Sequence, residues 1–146
     1  MCGTGGYKAL ELSVTETMPA VLSFKIGIKK FYTSLNAAYR SSRVAIYNQI
    51  FIGFGIGSVI DINEVFFFNP ELVFVNGIGS GFQSYLSFIP FFGYNMTPSM
   101  GILLGPSLVW NHGQSDRTAF VNLMGYEFDD NNILFFGGRI ALRIQW

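Results

Sequence analysis

Residues Gly137–Trp146 (GGRIALRIQW) decide the fold of this chain, because two opposite chemistries alternate there with a period of two. Successive side chains of a β-strand point to opposite faces of the sheet. One face of such a strand carries the apolar residues Ile140, Leu142, Ile144 and Trp146. The other face carries Arg139, Ala141, Arg143 and Gln145. The stretch therefore predicts a strand with one apolar and one cationic face.

The rest of the chain is apolar and poor in charge. Of its 146 residues, 50% are hydrophobic and 17% aromatic, whereas only 12% are charged. Soluble domains typically carry about 25% charged residues. Nine basic residues balance nine acidic ones, so the charge does not favour nucleic acid as a partner.

The segment from Leu72 to Ser115 carries no charged residue, yet it does not predict a transmembrane helix. Such a helix needs about 20 continuous apolar residues, and here Gly, Ser, Asn, Gln and Pro interrupt the segment throughout. A closed β-barrel is the other structure that can cross a bilayer. Composition and periodicity therefore favour an all-β membrane barrel.

Alternation along the chain predicts eight antiparallel strands. They are Tyr7–Glu16, Leu22–Lys29, Val44–Ile60, Val65–Asn76, Phe82–Asn95, Ser99–Trp110, Thr118–Phe128 and Ile133–Trp146. Residues 30–42 lack a strong period and are predicted as a connection with a short helical turn at Leu35–Ala38. The expected fold is an up-and-down eight-stranded transmembrane β-barrel, a single domain over residues 1–146 with a flexible N-terminus at residues 1–6.

Two features do not fit a regular outer-membrane barrel. Proline lacks the N–H that a strand ladder needs, so Pro70, Pro90 and Pro106 predict bulges. In the predicted strand order, the short turns at Asp61, Met96 and Asp129 lie opposite the end that holds Trp146. If Trp146 lies at the periplasmic end, these short turns are extracellular. Outer-membrane barrels have the reverse arrangement, with short turns on the periplasmic side and long loops outside.

The final strand resembles the closing strand of bacterial outer-membrane β-barrels. The matching residues are Arg139, the small residue Ala141 where the family usually has Gly, the hydrophobic Ile144 and the terminal aromatic Trp146. Similarity to small barrels of the OmpA, OmpX and OmpW kind implies a bacterial outer-membrane protein without an enzymatic role. It would be a scaffold or a porin-like conduit for small apolar solutes. The implied partners are the lipid bilayer and the barrel-assembly machinery, and the implied state is a monomer.

Charged residues on the predicted inward faces are the first candidate site. They are Glu11, Lys25, Glu71, Arg139 and Arg143. The first and last strands of a closed barrel are neighbours, so Glu11 is expected to pair with Arg139 or Arg143. These charges either form a neutralised plug of ion pairs or line and gate a pore, because an unpaired charge in such an interior is costly.

Aromatic residues near the predicted strand ends are the second candidate site. Tyr94, Trp110, Tyr126, Phe128 and Trp146 are candidates for the interfacial girdles of a membrane barrel, with core packing as the alternative. No catalytic residue, metal site or cofactor is predicted. The only histidine, His112, is insufficient for a metal site, and the single cysteine, Cys2, excludes an internal disulfide.

Two other classes of protein compete with the membrane scaffold. A soluble lipocalin-like barrel would turn the large apolar residues inward around a hydrophobic ligand. A lipid-modifying outer-membrane enzyme could use His112, Ser115 and Glu127, although their spacing does not match the His-x-Ser pattern of the deacylase. The membrane prediction also requires a secretory signal, which residues 1–6 do not contain. Either the leader has been removed, or it lies upstream, or the predicted compartment is wrong.

Replacing Trp146 by Asp should impair assembly far more than the same replacement at Gln145. The closing-strand signal uses the outward aromatic residue, whereas Gln145 lies on the polar face of the strand. Fractionation of cell envelopes measures the folded, membrane-bound fraction of each variant. Equal assembly of the two variants would contradict the resemblance.

Overall fold

The structure is a computed structural model that describes most of the chain. The described residues are 6–15, 20–28, 30–40, 49–78, 83–113, 125–129 and 132–146, with only the backbone considered at 125–129. Of the predicted flexible N-terminus, residues 1–5 lie outside the described residues, and Gly6 begins the first strand.

Eight long strands form a closed, antiparallel, up-and-down β-barrel, which confirms the predicted fold class at this level. They are β1 (Gly6–Thr15), β2 (Ala20–Ile28), β3 (Phe31–Arg40), β4 (Gln49–Ser58), β6 (Phe66–Ile78), β7 (Gln83–Thr97), β8 (Met100–Gly113) and β10 (Asn132–Gln145). Each pairs with the next in this order, and β10 pairs with β1 to close the ring. Two short strands, β5 (Ile60–Asp61) and β9 (Gly125–Asp129), pair with β6 and β10.

The third strand of the barrel is a segment that the sequence analysis predicted wrongly. Phe31–Arg40 was expected to be a connection with a helical turn, but it pairs along its whole length with β2 and β4. Its faces alternate in burial without a strong hydrophobic contrast. Small residues lie on both faces, as with exposed Ala37 and buried Ala38. That weak contrast concealed the period of two.

The predicted seventh strand, Thr118–Phe128, is not a strand of the ring. Strand β8 pairs directly with β10 from His112↔Asn132 to Met100↔Ile144, so no strand lies between them. Residues 118–124 lie outside the described residues. The following residues belong to β9, which pairs with the first part of β10 on the side where β1 pairs with the second part. The number of strands was right, but one of the eight was misassigned.

This exchange reverses the ends at which the turns lie. The connections on the same end as Trp146 join β2 to β3, β4 to β6 and β7 to β8, at residues 29–30, 59–65 and 98–99. The connections at the opposite end cover residues 16–19, 41–48, 79–82 and 114–131, the last of which includes β9. The turns at Asp61 and Met96 therefore lie on the Trp146 end, contrary to the predicted order. Short turns now share an end with the chain terminus.

The three strand prolines fit without the predicted bulges. Pro70 pairs with Pro90, and Pro106 pairs with Gly138. Between β7 and β8 the ladder stops at Phe88↔Leu108 and resumes at Phe92↔Leu104 in the same register. The β7–β8 ladder therefore skips Pro90 and Pro106, whereas the ladders on their other sides run through the prolines. The described register shifts lie elsewhere, at Asn95/Thr97 and Asn132/Ile133.

The interior is filled by large side chains that two glycines help to admit. Among the described residues, seven Phe, Tyr, Ile and Leu side chains are at most 3% exposed, and they are Phe51, Phe67, Tyr85, Ile89, Phe91, Leu103 and Phe135. A Cβ atom at Gly57 would overlap the ring of Tyr32, and one at Gly53 would overlap the backbone of β6 at Phe74. Glycine at these positions allows close approach of a ring and of a neighbouring strand.

Candidate functional site: the charged interior

A cluster of opposite charges occupies the barrel interior between β1, β2, β6 and β10. The Nζ atom of Lys25 lies 2.7 Å from Oε2 of Glu11 and 2.8 Å from Oε2 of Glu71, and all three side chains are fully buried. Nη2 of Arg143 lies 3.2 Å from the same Glu11 oxygen. We call these four residues, Glu11, Lys25, Glu71 and Arg143, the central cluster.

Strand register explains why these residues meet. Glu11 and Arg143 are direct partners in the β1–β10 ladder, so ring closure itself forms that pair. Lys25, on β2, lies opposite Ala9 of β1. Ala9 is two residues before Glu11, so Lys25 and Glu11 are diagonal neighbours on the inner face. Glu71 reaches Lys25 from β6, which is not adjacent to β2 in the sheet. The last contact therefore crosses the lumen and depends on the narrow barrel.

Neutral polar side chains connect the central cluster to the barrel wall. The amide of Asn69 donates to the hydroxyl of Tyr32 and accepts a hydrogen bond from Arg143. Ser34 donates to Oε1 of Glu71 at 3.3 Å. A further chain runs from Ser23 to Asn36 at 2.6 Å and from Asn36 to Ser34 at 3.0 Å. Buried charges that are paired and hydrogen-bonded in this way act as part of the packed interior.

The structure places all five predicted inward charges in the interior, but they do not form one cluster. Arg139 is 3% exposed and donates from Nε to Ser13 at 2.8 Å. Its guanidinium carbon lies 5.7 Å from the centroid of the Phe91 ring. The ion pairs of Glu11 in the described part of the chain are with Lys25 and Arg143, so the predicted pairing with Arg143 is the one present.

Sequence reasoning missed a second polar group near the opposite end of the barrel. Arg40 donates from Nη1 to the hydroxyl of Tyr85 at 3.0 Å, and that hydroxyl donates to Gln83 at 3.3 Å. Arg40 and Tyr32 both belong to β3, which was predicted as a connection. An alternation of Tyr32, Ser34, Asn36 and Arg40 on one side was the available signal. The signal was weak because the opposite face, which carries Thr33 and Ala37 among larger residues, is not uniformly apolar.

The residues of the predicted closing-strand signal are divided between the two faces of the final strand. Arg139 and Ala141 are buried in the interior, while Ile144 and Trp146 are 44% and 63% exposed on the outer surface. Trp146 donates its backbone N–H to the carbonyl of Lys8 at 3.1 Å, beyond the last residue of the strand.

The predicted girdle residues lie at both ends where their side chains are described. Tyr94 and Trp146 lie outward at one end, and Trp110 lies outward near the other. The side chains of Tyr126 and Phe128 lie outside the described structure. Outward aromatics at strand ends that were not predicted for the girdles include Phe31, Tyr39 and Phe66. Phe66 contacts Tyr94, with ring centroids 5.4 Å apart.

Of the three residues suggested for a lipid-modifying enzyme, the structure describes the side chain of His112. His112 is exposed, with Nδ1 2.8 Å from the amide oxygen of Asn132, and its ring contacts Trp110. Ser115 and the side chain of Glu127 lie outside the described residues. Within the described ranges, no group of three or more His, Cys, Asp or Glu residues is placed to hold a metal ion.

Comparisons with known proteins add no relative. No protein-family model matches the chain, and the search of curated proteins finds no match. Among the described residues, no helix is both long and apolar enough to span a membrane.

Replacing Lys25 by Met should lower the free energy of unfolding by about 3–5 kcal/mol, because it breaks two buried ion pairs and leaves Glu71 without its ammonium partner. Met is also unbranched and uncharged. Urea denaturation of the detergent-folded protein measures the change. The matched control is Lys8→Met, on the exposed face of the adjacent strand β1. Similar stability of both variants would show that the central cluster does not stabilise the barrel.

Proposed function

We propose that this chain is an integral β-barrel protein of the bacterial outer membrane that acts as a membrane-embedded scaffold without an enzymatic role. The observation that carries the proposal is the direction of the two faces. Large apolar side chains point outward around the whole ring, while Glu11, Lys25, Glu71, Arg139 and Arg143 point inward. Outward residues of β4, β8 and β10 illustrate this exposure, with Phe54 at 61%, Leu104 at 59% and Ile140 at 58%.

The outer surface is costly in water and favourable in lipid. A soluble monomer rarely exposes a contiguous apolar patch larger than a few hundred Å². Here every long strand contributes exposed apolar residues, and examples from four strands are Leu12, Ile26, Leu35 and Phe92. Each Å² of apolar surface removed from water contributes about 25 cal/mol. A hydrocarbon environment is therefore the one that this surface suits.

Strand length and connection length support the same environment. The eight ring strands contain between 9 and 15 residues, and a tilted strand needs about 9–11 residues to cross a bilayer. The two shortest connections, at residues 29–30 and 98–99, lie on the Trp146 end, and the two longest, at residues 41–48 and 114–131, lie at the other end. Outer-membrane barrels carry short periplasmic turns and longer external loops. By that analogy the Trp146 end is periplasmic.

The interior favours a scaffold over a conduit and over a soluble carrier. A lipocalin-like barrel holds its ligand among inward apolar residues, whereas this interior holds Glu11, Lys25, Glu71 and Arg143 at its centre. An apolar solute would have to displace paired charges to pass. The proposed partners are therefore the surrounding lipids and the barrel-assembly machinery, and the proposed state is a monomer.

A groove on the outer surface is lined by described residues of neighbouring strands. It has a volume of about 830 Å³ and opens between β2, β3, β4 and β6. Its rim is formed by exposed apolar side chains, and they are Ile26, Ile28, Phe31, Ile56, Leu72 and Phe88. In the proposed setting this apolar rim faces lipid.

Leu104→Arg should lower the free energy of unfolding in lipid bilayers by about 2–4 kcal/mol, the cost of an Arg at mid-membrane on a lipid-facing strand position. Leu104→Ala separates loss of the side chain from gain of the charge. Ser99→Arg, in the turn between β7 and β8, introduces the same charge outside the strands. Equilibrium unfolding in vesicles measures all three variants. If Leu104→Arg is no less stable than Leu104→Ala, the residue does not face lipid, and the proposal fails.

Planar-bilayer recordings of the wild type should show no steady conductance. The central cluster and the seven large buried side chains fill the lumen, so ions have no continuous aqueous path. A porin with a wide channel, recorded in the same bilayers, is the positive control. Stable, reproducible channels from the wild type would overturn the scaffold in favour of a pore.

A further inference from the structure

Arg139 is a buried cation that the central cluster does not neutralise. Its Nε atom donates to the hydroxyl of Ser13, and its guanidinium lies over the face of Phe91. Its Nη2 atom is buried and has no hydrogen-bond partner among the described residues. Arginine stays charged at all pH values relevant to proteins and has no acceptor atoms. The Nη2 donor is therefore unused within the described part of the chain.

Arg139 has no ion pair with a carboxylate among the described residues. The buried charged side chains of those residues are the cations Lys25, Arg40, Arg139 and Arg143 and the carboxylates Glu11 and Glu71. Both carboxylates form ion pairs with Lys25, and Glu11 also forms an ion pair with Arg143. An uncompensated charge in a medium of low dielectric constant is costly. A bound anion would supply the missing charge.

A small cavity lies beside Arg139. Its volume is about 30 Å³. Its apolar wall consists of Val21, Val73, Val75, Ile89 and Val109, all nearly fully buried. Its polar lining consists of Arg139, Thr15, Ser87 and Ser107. One water molecule needs roughly 10–15 Å³ of such space, so the cavity has room for about two waters or one monatomic ion.

We propose that this cavity binds one small monovalent anion of the halide class. The guanidinium of Arg139 supplies the charge and the unused Nη2 donor, and the hydroxyls of Ser87 and Ser107 supply further donors. The cavity volume excludes phosphate, sulfate and carboxylate ligands. The apolar walls strengthen the attraction, because they keep water and its screening away. This ion site lies in the interior and does not depend on the proposed membrane location.

Thermal unfolding of the detergent-folded wild type tests the site. The reference buffer is sodium gluconate, whose anion is too large for the cavity, and sodium bromide replaces it at constant ionic strength. Bromide should raise the melting temperature saturably, by roughly 3–6 °C at ten times its dissociation constant. Arg139→Gln should abolish this rise, and Ser107→Ala should shift it to higher bromide concentration. Lys8→Gln removes an exposed cation instead and should leave the rise unchanged.

Crystals of the wild type grown with bromide provide a second measurement that does not depend on any variant folding. Anomalous scattering should show one bromide peak within hydrogen-bond distance of Nη2 of Arg139. Absence of that peak at saturating bromide would mean that the cavity holds only water and would overturn the proposal. An equal bromide-dependent rise in wild type and Arg139→Gln would overturn it as well, because the stabilisation would then come from another site.

Discussion

The pairing of β1 with β10 is the constraint on which the rest of the structure depends. It removes the two free edges of the sheet, which would otherwise expose unpaired backbone groups. It also places Glu11 directly opposite Arg143, so the bond that closes the ring brings together two of the buried charges. Because an eight-stranded barrel is narrow, Glu71 can then reach Lys25 across the lumen. Ring closure and the Glu11–Arg143 ion pair therefore depend on the same pairing of β1 with β10.

Once the ring is closed, the two faces obey different rules. An inward polar group has only other inward groups as partners, so Tyr32, Asn69 and Ser34 complete the hydrogen bonds of the central cluster. An outward residue faces no protein, and the outer surface is apolar on every long strand. The interior is a packed core in which paired charges and polar groups lie beside apolar and aromatic side chains. The division between the faces explains why Arg139, set apart from the central cluster, retains a donor that is unused within the described residues.

The candidate site could be predicted from the sequence as far as strand alternation allows. Glu11, Lys25, Glu71, Arg139 and Arg143 all belong to strands whose two faces differ strongly in polarity, and the structure places all five inside. Tyr32 and Arg40 were missed because β3 mixes small, polar and aromatic residues on both faces. A period of two is detectable only when the two faces differ, and that difference comes from the environment of each face.

The sequence by itself determined that this protein is an all-β chain of long strands with one apolar face, because strict alternation is a local property of residues two positions apart. Only the tertiary structure decided which eight segments form the ring and which end holds the short turns. The observed ring contains Phe31–Arg40 where the predicted ring contained Thr118–Phe128. The number of strands is the same, but every strand between these two segments runs in the opposite direction to the predicted one. Pairing between distant segments, such as β8 with β10, decides that order, and no local pattern encodes it.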